Sequence, residues 1–259
     1  MFLGGSLSKV SVRVSKSYIF LFLSVAGLIM SPSVVLAQDL SEEAKREITE
    51  TLDRSQKELN IRGFVALVTN FEGEIYAKVF VFSDVENQSS MQVDSIFAIA
   101  SMTKPITFTA AMILIEDEKV SLEDPISYYI EYLPSFEVFD EFDFVNGTYT
   151  TQRASNEFTV KQLLTHTSGL AYNFHSKEIV TARLQLTGAI SSERFLLQHE
   201  PGEKWTYGPS TNLIGELVER VSGKGLLEFM EDEIFTPLGM TETSCTVLLN
   251  RMDRVERPH

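Results

Sequence analysis

The amino-acid sequence predicts an α+β fold, with paired strands early in the chain and a mainly helical region after them. Two observations carry this. Residues 63–70 and 75–82 are rich in Val, Ile and Phe, and Phe71-Glu72-Gly73-Glu74 joins them as a hairpin turn would. From residue 102 onward apolar residues recur at helical spacing. Strands followed by a run of helices is the order expected of an α+β domain.

Taken in order, residues 39–60 read as a surface helix, with Asp39 as cap, Glu42 three residues on, and Ile48, Leu52 and Leu59 on a sparse apolar stripe. After the hairpin, 83–94 is polar and reads as a loop back toward Ile96-Phe97-Ala98. Helices are expected over 102–116, 125–132, 160–166, 192–199, 212–222 and 226–234. Thr159-Val160-Lys161-Gln162 fits a capping box, and Gly169 and Gly223 stand where helices would end. Leu213, Ile214, Leu217, Val218 and Val221 form the core stripe of an amphipathic helix. Residues 136–158 lack strong periodicity and read as a long loop or insertion.

The first 37 residues have the layout of a secretory signal: Lys9, Arg13 and Lys16 precede an apolar stretch over 18–30, with small-residue cleavage geometry at Val35-Leu36-Ala37. The mature protein would begin at Gln38, in the periplasm or outside the cell, with no stable membrane anchor. Losing the leader's three cations takes the net charge from −14 to −17, which argues against nucleic acid as a partner. Residues 38–259 suffice for one domain: a helix and hairpin over 38–95, a mainly helical catalytic region over 96–245 and a tail over 246–259. Cys245 is the only cysteine, so no intramolecular disulfide forms, and the thiol reads as a small buried hydrophobe.

Ser101-Met102-Thr103-Lys104, followed by Pro105, is the stretch richest in chemistry. Three residues is nearly one helical turn, so the hydroxyl and the amine fall on the same side. Proline is tolerated only in a helix's first turn, which puts Ser101 at the helix N-terminus, beside unpaired N–H groups. Spacing alone is weak evidence, since Ser6-Leu7-Ser8-Lys9 repeats it inside the leader.

Context strengthens it. Phe97-Ala98-Ile99-Ala100-Ser101-Met102-Thr103-Lys104-Pro105, Val120-Ser121-Leu122-Glu123-Asp124-Pro125, Leu163-Leu164-Thr165-His166-Thr167-Ser168-Gly169-Leu170, and the block from Pro201-Gly202-Glu203-Lys204-Trp205-Thr206-Tyr207 to Pro237-Leu238-Gly239-Met240 occur in this order. With them the chain resembles the serine β-lactamase-related family of class C β-lactamases, D-alanyl-D-alanine carboxypeptidases and esterases. The resemblance implies a β-lactamase/transpeptidase-like fold, an antiparallel sheet flanked by helices with a helical region. It implies that Ser101 attacks a carbonyl to give an acyl-enzyme, that Lys104 eases removal of its proton, and that Tyr207 is general base or proton relay. A phenol ordinarily keeps its proton up to pH ~10, so a phenolate at neutral pH needs ~4 kcal/mol from nearby positive charge, part of which Lys104 supplies.

Two departures narrow the expectation. Class C enzymes carry Asn two positions after this tyrosine, whereas this chain has Tyr207-Gly208-Pro209, and proline offers no side-chain hydrogen bond. That disfavours a penicillin-recognising peptidase or β-lactamase and favours the esterase branch. Nothing from Thr246 onward matches the family's third motif, Lys-Thr-Gly or His-x-Gly. The resemblance thus implies that the C-terminal sheet strands are missing, that only the Ser101 N–H of the oxyanion pair is present, and that the chain is a shortened form.

Other candidates fall away. His166 lies two residues from Ser168, too near for a nucleophile and base in one loop. Gly208-Pro209-Ser210-Thr211-Asn212 fails as a nucleophile elbow at Asn212, leaving Ser210 as a helix cap. His175, His199 and His259 lack metal-ligand spacing, so neither metal nor cofactor is expected. The expected function is a secreted serine hydrolase of small-molecule ester, amide or peptide substrates, with a non-catalytic remnant or cell-wall ligand-binding module as the alternative.

Overall fold

The computed structural model describes residues 2–3, 40–61, 63–80, 82–84, 89–133, 135–185, 194–247 and 249–256. The expected leader, 1–37, lies outside them except for strand β1 (Phe2–Leu3). No described helix is long and apolar enough to cross a membrane. The chain divides into two compact units, one of residues 1–99 with 235–259 and one of residues 100–234.

In the first unit, helix α1 (Glu42–Leu59) is capped by Ser41, whose side chain accepts from the Ala44 N–H at 3.1 Å. The cap is therefore Ser41 and not Asp39, because Ser41 is the residue placed to reach an unpaired first-turn amide. No α1 residue is fully buried, but Thr49 bonds the Tyr76 hydroxyl at 3.0 Å and Asp53 pairs with Lys78 at 3.0 Å, tying the helix to the hairpin. That hairpin, β2 (Phe64–Thr69) with β3 (Glu74–Phe80), matches the expected strands. Its turn is held by Asn70 Oδ1, which accepts from the Glu72 and Gly73 amides, with Gly73 at φ +139°. Among the described residues β2 and β3 pair only with each other. The span 83–94 is less loop-like than expected, since β4 (Phe82–Asp84) and β5 (Ser89–Ser90) form a short antiparallel ribbon. Strand β6 (Phe97–Ala98) pairs with β1.

The second unit opens with a 3-10 turn, Ala100–Met102, that runs into α2 (Thr103–Glu116). The segment 136–158, read as a long loop or insertion, is for the most part the hairpin of β7 (Ser135–Asp143) and β8 (Thr148–Arg153), with 154–158 irregular. A register shift between Phe139 and Phe142 breaks the alternation that would have marked it as strand. Residues 125–132 give only a 3-10 turn, Ile126–Tyr128, and α3 (Val160–Leu164) carries the expected Thr159/Gln162 capping box. Helix α4 (Lys177–Gln185) was not expected. The helix expected over 192–199 is instead β9 (Arg194–Leu197), a strand parallel to β7 that buries Leu197 completely and stacks Phe195 on Phe136. Four residues are too few to show a period, and pairing with β7 decides the conformation.

Helix α5 (Ser210–Ser222) buries Leu213, Ile214, Leu217 and Val218, the stripe read from the sequence, and ends at Gly223 with φ +72°. Ser210 is not its cap. Pro209 holds the cap position, and the Ser210 hydroxyl is buried 3.1 Å from that of Ser168. Gly169 ends no helix either; its φ of +87° places it where a Cβ would meet the His199 carbonyl oxygen at 2.4 Å. Helix α6 (Leu226–Met230) passes into a π-helical turn, Glu231–Phe235. In the first unit, β10 (Thr243–Ser244) pairs with β1, and Cys245 next to it is exposed, contrary to the expected burial.

Candidate active site

Ser101 sits in the 3-10 turn immediately before α2, and Pro105 is the third residue of that helix, within the first turn as its missing N–H requires. Ala100, just before the serine, has φ +42°, a left-handed conformation that a residue with a Cβ adopts only under constraint. The Lys104 ammonium donates to Ser101 Oγ at 3.1 Å. Its Nζ also lies 4.7 Å from the centre of the Tyr207 ring and 5.6 Å from that of Tyr172. Ser101, Lys104 and Tyr207 therefore come together, from the start of α2 and from the loop before α5.

The Tyr207 proton is held below the ordinary phenol value, first by hydrogen bonding to Lys104, then by hydrogen bonding to Ser101. Both contacts lower the cost of the phenolate form.

The loop that carries Tyr207 is fixed by its backbone. Gly202 N–H donates to Thr167 O and Thr206 N–H to His166 O, both at 2.8 Å, and Tyr172 N–H reaches Tyr207 O at 3.3 Å. Residues 202–208 thus lie along 166–172. They lie so close at Gly208 that a Cβ there would be 1.9 Å from Leu170 O. His199, buried under this loop, bonds the Glu200 carbonyl through Nδ1 at 2.8 Å and the Thr206 hydroxyl through Nε2 at 2.9 Å.

The His166 ring lies beside that of Tyr207, with centroids 5.2 Å apart and planes tilted by 56°. Burial, then the Lys104 charge, lowers its pKa, which favours the neutral ring. It does not serve Ser168, which is fully buried on Ser210. His175 meets the Tyr207 ring edge-on at 5.7 Å, and Trp205 stacks on it at 6.2 Å. Among the described residues no three His, Cys, Asp or Glu gather as a metal would need. The aromatic surround of Tyr172, His175 and Trp205 was missed by reasoning from the sequence. Only Trp205 had a signal, standing two residues before Tyr207 in a block already singled out.

The family model described as Beta-lactamase matches residues 47–259. The chain belongs to the beta-lactamase family. Among similar members of the beta-lactamase family are an uncharacterized protein of Mycobacterium tuberculosis, 33% identical over 71% of this chain and 47% of its own length, and the lovastatin esterase of Penicillium rubens, 31% identical over 71% and 48%. The chain spans about half the length of the curated relatives it matches. Of solved structures, unliganded simvastatin synthase (LovD) from Aspergillus terreus superimposes with a TM-score of 0.69 at 26% identity, covering 84% of this chain and 58% of that one. D-alanine carboxypeptidase AmpC from Burkholderia cenocepacia shares the fold at a TM-score of 0.61, 21% identity and coverages of 83% and 54%. The β-lactamase/transpeptidase-like fold expected from the sequence is the fold observed. Relatives of this chain also include Esterase EstB of Burkholderia gladioli, 27% identical over 73% of this chain and 48% of its own length.

Proposed function

We propose that this beta-lactamase-family chain hydrolyses small-molecule esters or amides, with esters preferred, through an acyl-Ser101 intermediate. The observation that carries the reading is the Ser101 Oγ to Lys104 Nζ contact of 3.1 Å beside a tyrosine whose proton is loosened by both groups. In the forward step the Tyr207 phenolate takes the Ser101 proton as Oγ bonds to the substrate carbonyl carbon. Tyr207 then returns that proton to the departing alcohol or amine as its bond to carbon breaks. Water repeats the sequence on the acyl-enzyme and releases the acid. The Ser101 N–H, at the start of the helical run, is one donor to the carbonyl oxygen.

Relatives named as esterases support esters as substrates. Pro209 supports the same choice, since it gives no side-chain donor or acceptor two positions after Tyr207. The leader layout of 1–37 supports export, with cleavage near Ala37 that would take β1 and its pairings with β6 and β10 away; an exported product beginning at Gln38 on N-terminal sequencing is the expected result.

The deciding experiment is turnover of p-nitrophenyl acetate with mass spectrometry of the trapped adduct. A single acyl group on Ser101, absent in Ser101→Ala, is expected. Adduct retained in Ser101→Ala, or stoichiometric ligand binding without acylation, would defeat the proposal.

A further inference from the structure

Aromatic rings continue beyond Tyr207 on more than one side: through His166 to Phe108, and through Tyr172 to Phe174. Tyr172 lies 5.4 Å from Tyr207 and stacks on Phe174 at 5.0 Å with planes 13° apart. Phe174 is 73% exposed, and its ring lies 4.7 Å from that of His175. Phe174 and His175 line a cavity of about 520 Å³ whose other walls include Phe142 and Phe144 from the β7–β8 end and Val180 of α4. That volume is of the size that holds a small molecule. Phe142 lies parallel to Tyr149, 6.2 Å away, and Phe144 is 62% exposed.

Asn173, Ser176, Lys177 and Thr181 complete the lining, so the rings offer stacking faces within a mixed wall. The row starts at the one group that hands a proton to the leaving oxygen. The leaving oxygen must come within reach of the Tyr207 hydroxyl, and on the Tyr172 and Phe174 side a cavity lies beyond that can take the rest of the leaving group.

We infer that the Tyr172–Phe174 row and the cavity beyond it are the subsite for the alcohol half of the ester, and that they select planar aromatic alcohols. This rests on the acyl-Ser101 reading. It goes further by assigning one half of the substrate to one set of residues. The acyl half is left unselected by this surface.

The test compares two ester series on the full chain. In one the acyl group is fixed as acetate and the alcohol runs from ethanol to benzyl alcohol to 2-naphthylmethanol. In the other the alcohol is ethanol and the acyl chain lengthens from acetate to octanoate. The expected result is a kcat/KM that rises by about tenfold or more across the alcohol series and little across the acyl series. Phe174→Ala and, separately, Phe144→Ala should collapse the aromatic preference toward unity, with far-ultraviolet circular dichroism showing that both variants keep the fold. A preference that follows acyl length, or an aromatic preference that survives both substitutions, overturns the subsite.

A second arm needs no turnover. Ser101→Ala should bind 2-naphthylmethanol in calorimetry, and adding Phe174→Ala should weaken that binding about tenfold. Binding of this kind in a wild-type protein that hydrolyses no ester would sink the hydrolase reading and uphold the aryl site. Ester turnover with no such binding would do the reverse.

Discussion

His199 Nε2 lies 2.9 Å from Thr206 Oγ1, so a buried imidazole is latched to the residue directly before Tyr207. The other ring nitrogen faces the Glu200 carbonyl, which fixes it as the N–H and leaves Nε2 to accept the threonine hydroxyl. Thr206→Val keeps the shape and removes the donor, leaving Nε2 unsatisfied. A destabilisation of about 1–3 kcal/mol in urea unfolding is expected. Acylation should slow as well, because the loop presenting Tyr207 is loosened. Thr206→Ser, which keeps the hydroxyl, should restore both.

Tyr207 gives the reaction a pH signature. Because Lys104 and then Ser101 lower its proton affinity, the base form accumulates below the ordinary phenol range, and the ester rate should rise with pH through that lowered value. Lys104→Met removes the larger cause. The rising limb should move up toward pH ~10, with a loss of roughly 10²- to 10⁴-fold at neutral pH. A pH–rate profile of both proteins reads the two effects together; a limb that stays in place would show that another group sets it.

The half-buried His166 makes an opposite kind of claim, about stability. Its pKa is lowered in the fold by burial first and by Lys104 second. The unfolded imidazole takes a proton near pH ~6.5, so below that value the unfolded state binds more protons. The stability His166 contributes is present above the unfolded pKa and is lost as pH falls through the folded value. Proton NMR of the His166 ring should show titration below ~6.5, moving part of the way back in Lys104→Met. Full recovery in that variant would reverse the order of the two causes.

Two glycines separate close approach from backbone freedom. At Gly208 a Cβ would sit 1.9 Å from the Leu170 oxygen and 2.5 Å from its carbonyl carbon, and neither is a movable side-chain end. Gly208→Ala must shift the strand of backbone next to Tyr207, and a misplacement near 1 Å costs about 10²-fold in rate. Gly223 has open space around it but φ +72°. Gly223→Ala should cost about 1–2 kcal/mol of thermal stability while esterase activity is kept.

The site's chemistry was legible because it is local: Ser101, Lys104 and Pro105 fit one turn of helix, and the structure keeps them there. Thr159 with Gln162 and the α5 stripe were legible for the same reason, as caps and apolar periods act over a few residues. What escaped depends on partners distant in the chain. Leu197 is buried only because β9 adds to β7, and the Phe139/Phe142 irregularity hides a strand that its partner β8 nonetheless holds. The latch from His199 to Thr206 and the row from Tyr207 to Phe174 are likewise products of folding. No spacing rule joins residues brought together by a loop lying along another loop.

Ala100 carries one more consequence. A left-handed alanine costs about 1–2 kcal/mol, more than the chain entropy saved by not being glycine. Ala100→Gly should therefore raise the melting temperature, and yet slow acylation by letting Ser101 sample more positions. Selection for heat resistance alone would drift to glycine here and enrich sturdy, sluggish proteins. The residue works as a spring held in compression beside the nucleophile, and easing it trades aim for endurance.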